Sequence, residues 1–397
     1  MEYTNDLLKE MEDRRKYNKQ YASWLEKMAK QKGIVLSSVP DKYTGELITL
    51  PDKKKSIPES LALYNRGQRM AHCLDLWIWN VYQKAKIMDL QKVNLCRDIR
   101  FCPNCKVLET TKYIHKITPV YKEMLEKGYH FYFLTLTVPS VKAETDTTLR
   151  EAVSKLYKCF TVLKDLYGRD IDDKNAFHGR SVDFAGGIRV LEITHNAAAG
   201  YHPHLHCIIV TNRDIPEDLM KQKYKARYSR KRKSFDYKSD LECELAKIWT
   251  LIYYNLYSEY NYSVYDYDPA ETNPVIRGVK REDVKNLEVN FRELDPSGFR
   301  ETFKYTVKSS EIKSFAIFKQ FYIALLGRRI RQGFGCLYKL KLDDCMDDVG
   351  EEQPLPPECL SEEPERLLTA RMKELYTVWA EYKKISRFNP TVEKLED

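Results

Sequence analysis

Long apolar runs are missing from this 397-residue sequence, in which no uninterrupted apolar stretch reaches about 18 residues. Residues 1–6 are polar and lack the apolar region of a secretory signal peptide. The pattern therefore indicates neither a membrane-spanning helix nor an exported precursor. We expect a soluble, cytoplasmic protein that has no membrane partner.

Closely spaced cysteine pairs of the kind that frame a small disulfide-rich domain are missing through most of the sequence. The 10 cysteines are spread over a long, highly charged sequence instead of framing a small one, so they do not indicate a disulfide framework. We expect reduced thiols, some of them at a metal site. The hydrophobic content of 43% is sufficient for two or three folded domains.

Charge is unevenly distributed, although the formal net charge is only +8. Residues 221–238 contain nine bases and one acid, whereas residues 343–365 contain ten acids and no base. A basic segment of this kind suits a polyanion such as DNA, and a solvated loop beside a disordered acidic linker explains the runs equally well. The candidate DNA-binding residues are Lys221, Lys223, Lys225, Arg227, Arg230, Lys231, Arg232 and Lys233.

Strand and helix signals alternate through the middle of the chain. Residues 129–138, 187–194 and 204–211 have strand patterns, and the last two are joined by a loop short enough for a hairpin. Residues 148–167 and 242–260 have helical spacing. This order predicts an α+β fold with a central, mainly antiparallel sheet flanked by helices.

The composition predicts four regions. They are an N-terminal polar and helical appendage at 1–65, a Cys-rich segment at 66–128, a main domain at 129–340 with a basic insertion at about 212–240, and an acidic linker with a C-terminal helix at 341–397. Within the last region, residues 366–385 have helical character.

Three of the eight histidines lie within residues 201–206. On a strand His204 and His206 point to the same face, so both imidazoles can bind one ion. Glu192, on the strand predicted to pair with them, can supply a carboxylate and leave positions open for substrate; His202 is the rival third ligand. The alternative is a set of hydrogen-bonded histidines without a metal.

A second candidate group lies about a hundred residues later, in the segment 300–308. If this segment is helical, Glu301, Tyr305 and Lys308 share one face. They would provide an acid or base, a nucleophile and a cation, which phosphoryl transfer to tyrosine requires. A Glu/Tyr/Lys face is also common on ordinary helix surfaces.

The motif Cys96-x5-Cys102-Pro-Asn-Cys105 is typical of half a structural zinc site. A redox role is the alternative, but the surrounding sequence lacks the βαβ pattern of redox Cys-x-x-Cys proteins. The site needs a fourth ligand, for which the candidates in order of preference are Cys73, His72 and His115.

Together these motifs resemble the HUH endonucleases, and among them the Rep_1 class of rolling-circle plasmid replication initiators. Residues 133–138 are similar to the first motif strand of the family, and 202–206 to its His-Pro-His-x-His motif. Residues 301–305 are similar to the motif that contains the nicking tyrosine. Lys308 fits a Tyr-x-x-Lys pattern of related nickases, and 327–335 is similar to a stretch downstream of the tyrosine. The resemblance covers roughly residues 73–337 and also includes a Cys-rich segment ahead of the first motif.

The resemblance implies an HUH palm and a strand-transfer mechanism. Mg²⁺ or Mn²⁺ at the histidine pair would polarise a phosphate at the replication origin, in a DNA hairpin or exposed single strand. Tyr305 would attack, leaving a 5′-phosphotyrosine and a 3′-OH that primes a host polymerase. Glu301 would assist termination, and Lys308 would stabilise developing charge. The resemblance also implies a host helicase as partner and a bacterial cytoplasm as location.

There are three alternative functions for the same motifs. An HUH transposase or relaxase-type strand transferase would use the same chemistry for joining without replication. A non-catalytic, zinc-containing DNA-binding regulator would bind DNA with inert histidines. A metal-dependent hydrolase that uses activated water would need further carboxylates.

Overall fold

The computed structural model describes most of the chain between residues 5 and 395. The described ranges are 5–40, 46–75, 77–82, 84, 87–168, 181–229, 234–255, 265–266, 275–276, 287–295, 302, 309–338, 365–369, 385–388 and 392–395. The chain divides into two compact units, the first formed by residues 1–109 with 346–397 and the second by residues 110–345.

Helices and strands alternate along both units. The helices are α1 (Asn5–Gln31), α2 (Pro58–Ala71), α3 (Pro103–Glu126), α4 (Thr148–Tyr167), α5 (Glu217–Met220), α6 (Asp240–Tyr253) and α7 (Phe315–Leu325), with a 3-10 turn at Ser309–Glu311. The strands of the first half are β1 (Leu36–Pro40), β2 (Leu47–Pro51), β3 (Trp77–Tyr82), β4 (Ile87–Val93), β5 (His130–Thr137), β6 (Gly186–Asn196) and β7 (Gly200–Thr211). Those of the second half are β8 (Tyr224–Ser229), β9 (Ser234–Lys238), β10 (Tyr265–Asp266), β11 (Val275–Ile276), β12 (Val289–Glu293), β13 (Arg331–Gly335), β14 (Glu365–Thr369), β15 (Ile385–Phe388) and β16 (Val392–Leu395).

The first unit combines the N-terminal helices with a five-stranded sheet of order β14-β3-β4-β16-β15. Helix α1 packs along α2 and buries Tyr21 and Leu25 completely. The Tyr21 ring also meets Phe101 edge-on at a centroid distance of 6.5 Å. These contacts make the N-terminal helix part of the core that surrounds the cysteine motif.

The structure corrects the helix predicted over residues 366–385 at its two ends, and residues 370–384 lie outside the described residues. Arg366–Thr369 belong to strand β14, which pairs antiparallel with β3, and Ile385 begins strand β15. A short apolar pair such as Leu367 and Leu368 fits helical and extended patterns alike, and the available partner strand decides between them. Here Leu367 lies opposite Trp79.

The second unit is built on a five-stranded sheet of order β12-β5-β7-β6-β13. Every neighbouring pair in it is antiparallel. The predicted α+β class with a central antiparallel sheet is therefore confirmed, as is the predicted helix over residues 148–167. The three predicted strands correspond to β5, β6 and β7.

A tight turn joins β6 to β7 and sets the register of both. Asn196 Oδ1 accepts hydrogen bonds from the amides of Ala198 and Ala199, at 2.8 and 3.3 Å, which closes the turn. Gly200 follows with φ +85°, a conformation that glycine adopts without steric cost. A Cβ on Gly200 would lie 2.3 Å from the carbonyl oxygen of Val141.

The two faces of this sheet pack against different helices. On one face, Arg189 of β6 lies over the ring of Tyr157 in α4, at 3.8 Å from the centroid. On the other face, side chains of α3 form a buried core with apolar side chains of the sheet, namely Tyr113, Ile117 and Met124 against Phe131, Ile188, Val190, Ile208 and Val210. By strand alternation, this second face also carries His204 and His206.

Candidate metal centres

Three candidate ligands meet on the face of the sheet that α3 covers. The register places Glu192 directly opposite His204, and Val190 opposite His206. Because side chains two residues apart point the same way, both histidines and Glu192 lie on this one face. Leu205 points to the opposite face, where it is completely buried. The strand pattern thus brings together the three residues predicted from the sequence.

The ligand atoms converge on a single carboxylate oxygen. His206 Nε2 lies 2.8 Å and His204 Nε2 lies 3.3 Å from Glu192 Oε2. One possible ligand atom from each of the three residues lies within 4.8 Å of the other two. The three side chains are about one-tenth exposed, at 9% for Glu192, 11% for His204 and 8% for His206. The group is sheltered from bulk water and could hold a metal ion.

The opposite nitrogens of both rings have their own partners. His204 Nδ1 lies 3.1 Å from the carbonyl oxygen of His202. Because a carbonyl oxygen can only accept, Nδ1 must be protonated and donate the hydrogen bond. His206 Nδ1 lies 3.2 Å from the hydroxyl of Thr135. Both rings therefore direct Nε2 toward Glu192, which is the arrangement of metal-binding histidines held through Nδ1.

The proton count in this group favours an ion. His204 donates through Nδ1, so a further hydrogen bond from its Nε2 to Glu192 would require a buried imidazolium. A cation between Nε2 and the carboxylate satisfies the same atoms while the ring stays neutral. In the absence of an ion, burial raises the pKa of Glu192, but hydrogen bonds from His204 and His206 and the charges of both rings outweigh burial and hold this pKa well below its ordinary value. The carboxylate is thus available as an anionic ligand.

His202 lies beside this group without joining it. Its ring stacks on that of His204 at a centroid distance of 5.2 Å. Burial, together with the charge of His204, lowers the pKa of His202. Among the residues that the structure describes, the potential ion-binding group at this position contains Glu192 in place of His202.

The predicted nucleophile and its helix partners, Glu301, Tyr305 and Lys308, lie outside the described residues. Their neighbour Thr302 is described and is only 1% exposed. The roles predicted for these three residues stay predictions.

Four cysteines form a second candidate centre in the first unit. The Sγ separations are 3.7 Å for Cys73–Cys105, 3.6 Å for Cys96–Cys105 and 3.6 Å for Cys73–Cys102. They are far longer than a disulfide bond, and they match the ligand-to-ligand distance of about 3.8 Å in a tetrahedron with Zn–S bonds of about 2.3 Å. All four side chains are buried. The cluster has the geometry of a four-coordinate structural metal site.

Hydrogen-bond donors surround the sulfur atoms. The amides of Cys96 and Cys105 donate to Cys73 Sγ and Cys102 Sγ, each at 3.4 Å. The side-chain amide of Asn18, in α1, donates to Cys102 Sγ at 3.3 Å. Such donors stabilise thiolates, and hydrogen bonds from Cys105, Cys73 and Cys96 lower the pKa of Cys102. The sequence indicated the cysteines but not Asn18, which lies far from the motif in the chain.

Of the alternative fourth ligands, His72 is exposed and pairs through Nδ1 with Asp75 Oδ2 at 3.0 Å. The structure therefore brings Cys73, the preferred candidate, to the other three cysteines and leaves His72 outside the cluster. His115 lies in α3.

The basic segment forms a hairpin beside the edge of the second sheet. Strands β8 and β9 pair antiparallel, and Lys238 Nζ donates to the carbonyl oxygen of Val289 in β12 at 2.7 Å. Three of the candidate DNA-binding side chains, Lys221, Lys223 and Lys225, are exposed. Arg227 lies in β8, and Arg230, Lys231, Arg232 and Lys233 lie outside the described residues. Val289 lies opposite Leu136 of β5, and Leu136 lies opposite Leu205 of β7, the residue next to His204.

The model of the Rep_1 family, described as replication protein, matches residues 87–247. The matched range contains Glu192, the candidate ligands His204 and His206, three of the clustered cysteines and the basic hairpin. It confirms over this range the resemblance drawn from the sequence motifs. No curated protein and no solved structure shows significant similarity to the chain. Within the described residues, no helix is both long and apolar enough to cross a membrane.

Proposed function

We propose that this protein initiates rolling-circle DNA replication by nicking one strand at an origin and rejoining it at termination. The observation that carries the proposal is the convergence of two imidazole Nε2 atoms and one carboxylate oxygen on adjacent strands. This group lies inside the range that matches a replication protein family. The proposed nuclease domain spans residues 129–340, with the basic hairpin as its insertion.

Glu192, His204 and His206 would hold Mg²⁺ or Mn²⁺, and three protein ligands leave positions of an octahedral ion for phosphate and water. The bound ion would supply Lewis-acid polarisation of the scissile phosphate. The protein's own contribution is a fixed ligand triad in a sheltered position, with both Nδ1 atoms bonded and the carboxylate ionised. The four cysteines would hold a structural Zn²⁺.

In the proposed reaction, the phenolic oxygen of Tyr305 attacks the phosphorus atom. The new O–P bond forms as the P–O3′ bond breaks, the phenol loses its proton, and the leaving 3′ oxygen gains one to become a 3′-OH. Lys308 would stabilise the phenolate or the developing phosphate charge. At termination a 3′-OH or a water molecule assisted by Glu301 would attack the phosphotyrosine and release the tyrosine.

Substrate binding would depend mainly on the basic hairpin. Exposed lysines such as Lys221 and Lys225 can contact backbone phosphates, whereas Lys223 Nζ pairs with Asp240 Oδ2 at 2.6 Å. Aromatic side chains such as Tyr237, which is 51% exposed, can stack on unpaired bases. The proposed partners are an origin hairpin or single strand, and a host helicase and polymerase in a bacterial cytoplasm.

The proposal is tested by incubating the full-length protein with a labelled library of hairpin and single-stranded DNA and Mn²⁺. Products are separated by denaturing electrophoresis with and without protease. We expect a protease-sensitive, metal-dependent adduct that disappears in Tyr305→Phe while DNA binding is retained. Tyr338→Phe is the matched control, because Tyr338 is 67% exposed and lies in the same unit.

The other outcomes point to different functions. An adduct that persists in Tyr305→Phe would refute the assignment of the nucleophile. Tight binding with neither cleavage nor adduct would favour the non-catalytic regulator. Strand joining without replication of a plasmid that carries the bound sequence would favour a transposase or relaxase.

A further inference from the structure

Thr135 is the side chain of β5 that faces the histidine pair. The register of β5 with β7 places Thr135 directly opposite His206, and the Thr135 Oγ1 lies 3.2 Å from His206 Nδ1. Thr135 is half-buried and lies two residues from Phe133, so both side chains share the face of the candidate ligands.

The two histidines are held by different kinds of acceptor. His204 Nδ1 donates a hydrogen bond to a backbone carbonyl, which every residue type at position 202 would provide. His206 Nδ1 is bonded to a side chain, which a single substitution can remove. When Nε2 of an imidazole binds an ion, Nδ1 carries the proton and needs an acceptor. The hydroxyl oxygen of Thr135 is the acceptor that the structure offers to His206.

A second side chain of β5 supports the same ring. The Phe133 ring stacks on His206 at a centroid distance of 5.5 Å and an interplanar angle of 14°. The guanidinium of Arg292 lies over the Phe133 ring, 4.9 Å from the ring centroid. Phe133 therefore restrains the tilt of the imidazole, and Thr135 restrains its rotation within the ring plane.

We infer that Thr135 is a positioning residue for His206: the Thr135 hydroxyl oxygen accepts a hydrogen bond from Nδ1–H of His206 and thereby directs the Nε2 lone pair toward the ion shared with Glu192 and His204. The inference deepens the proposed function and rests on ion binding at that triad. Outer-sphere hydrogen bonds of this kind change metal affinity by about 10- to 100-fold. Removal of the Thr135 hydroxyl should weaken Mn²⁺ binding within this range.

The test compares three variants of the full-length protein by Mn²⁺ titration, with free Mn²⁺ measured by electron paramagnetic resonance. Thr135→Val keeps the shape of the side chain and removes the acceptor, and we expect Mn²⁺ affinity to fall at least about tenfold. Thr135→Ser restores a hydroxyl and should bind nearly as well as the parent protein. Thr137→Val is the matched control, because Thr137 lies on the same face opposite His204, yet its hydroxyl donates to the carbonyl oxygen of Glu288.

A second readout is made on the parent protein, and a variant is needed only to assign the signal. In ¹⁵N-histidine spectra of the Mg²⁺-loaded parent protein, His206 should show a protonated Nδ1 and an unprotonated Nε2. His206→Ala identifies the signal and should abolish Mn²⁺ binding. Circular dichroism of each variant confirms that the sheet is retained.

The outcomes separate this inference from the proposed function. If Thr135→Val binds Mn²⁺ like the parent protein while His206→Ala does not, the triad stands and the role of Thr135 is refuted. Equal losses in Thr135→Val and Thr137→Val would also refute it, since a general weakening of the strand would explain both. A His206 ring protonated on Nε2 in the loaded protein would contradict the inference directly. Absence of Mn²⁺ binding by the parent protein would overturn ion binding at the triad and the inference together.

Discussion

Substitution of Gly200 by alanine should destabilise the hairpin that carries the candidate ion ligands. An alanine at φ +85° pays about 1–2 kcal/mol for the left-handed conformation. Its Cβ would also lie 2.3 Å from the Val141 carbonyl oxygen, which is backbone and cannot rotate away. Relief of this contact breaks the two hydrogen bonds between the backbones of Val141 and Tyr201, both 2.8 Å long. At about 1 kcal/mol each, they bring the expected loss to about 3–4 kcal/mol.

Gly128→Ala is the matched control for this prediction. Gly128 has φ +83°, but a Cβ built there meets no atom within 4 Å. It should cost only the conformational penalty of about 1–2 kcal/mol. The difference between the two variants, about 2 kcal/mol, isolates the contact with Val141.

Hydrogen exchange followed by mass spectrometry measures these costs locally. Peptides that cover residues 186–211 report the local opening free energy beside Gly200, and peptides that cover residues 124–137 report it beside Gly128. The loss should be larger in Gly200→Ala than in Gly128→Ala. Equal losses in the two variants would refute the reasoning, because the contact with Val141 would then contribute nothing. If Gly200→Ala keeps the full protection of the parent protein, the predicted conformational cost of an alanine at this position is refuted as well.

Two further predictions concern the cysteine cluster and the basic hairpin. The purified protein should contain one zinc ion per chain by elemental mass spectrometry, and Cys73→Ser should lower the zinc content strongly; Cys159→Ser, which removes a buried thiol outside the cluster, should not. Equal zinc in both variants would exclude Cys73 as a ligand. Lys225→Gln should weaken binding to single-stranded DNA and reduce the slope of log affinity against log salt by about one, whereas Lys53→Gln in the first unit should leave it unchanged. An unaltered slope in Lys225→Gln would place the DNA elsewhere.

Local periodicity was sufficient to predict the three central strands of the second sheet, but not its two edge strands β12 and β13. Alternation along β6 and β7 fixes which side chains share a face, so Glu192, His204 and His206 could be grouped before any coordinates were known. The same logic found β5, because a run of aromatic and β-branched residues between Gly128 and Pro139 has few other solutions. The helix of residues 148–167 followed from its apolar spacing.

Contacts between distant segments could not be predicted in this way. Asn18 reaches Cys102 across 84 residues of sequence, and nothing near Asn18 indicates a sulfur partner. Thr135 meets His206 because two strands share a register, which depends on the whole sheet. Both ends of the helix predicted over residues 366–385 are extended instead, because β14 pairs with β3 and β15 with β16, and such pairing cannot be read from the local sequence.

The order of strands in the first sheet has a consequence for how the chain folds as it is synthesised. The hairpin of β3 and β4 is bordered on one side by β14 and on the other by β16, which are made long after it. Until those strands emerge from the ribosome, the hairpin has two open edges that can pair with other chains. The second unit can complete its sheet from residues 130–335 before this happens. The hairpin of β3 and β4 is thus translated before the second sheet but completed after it. Chains that end before residue 365 should therefore aggregate through this hairpin.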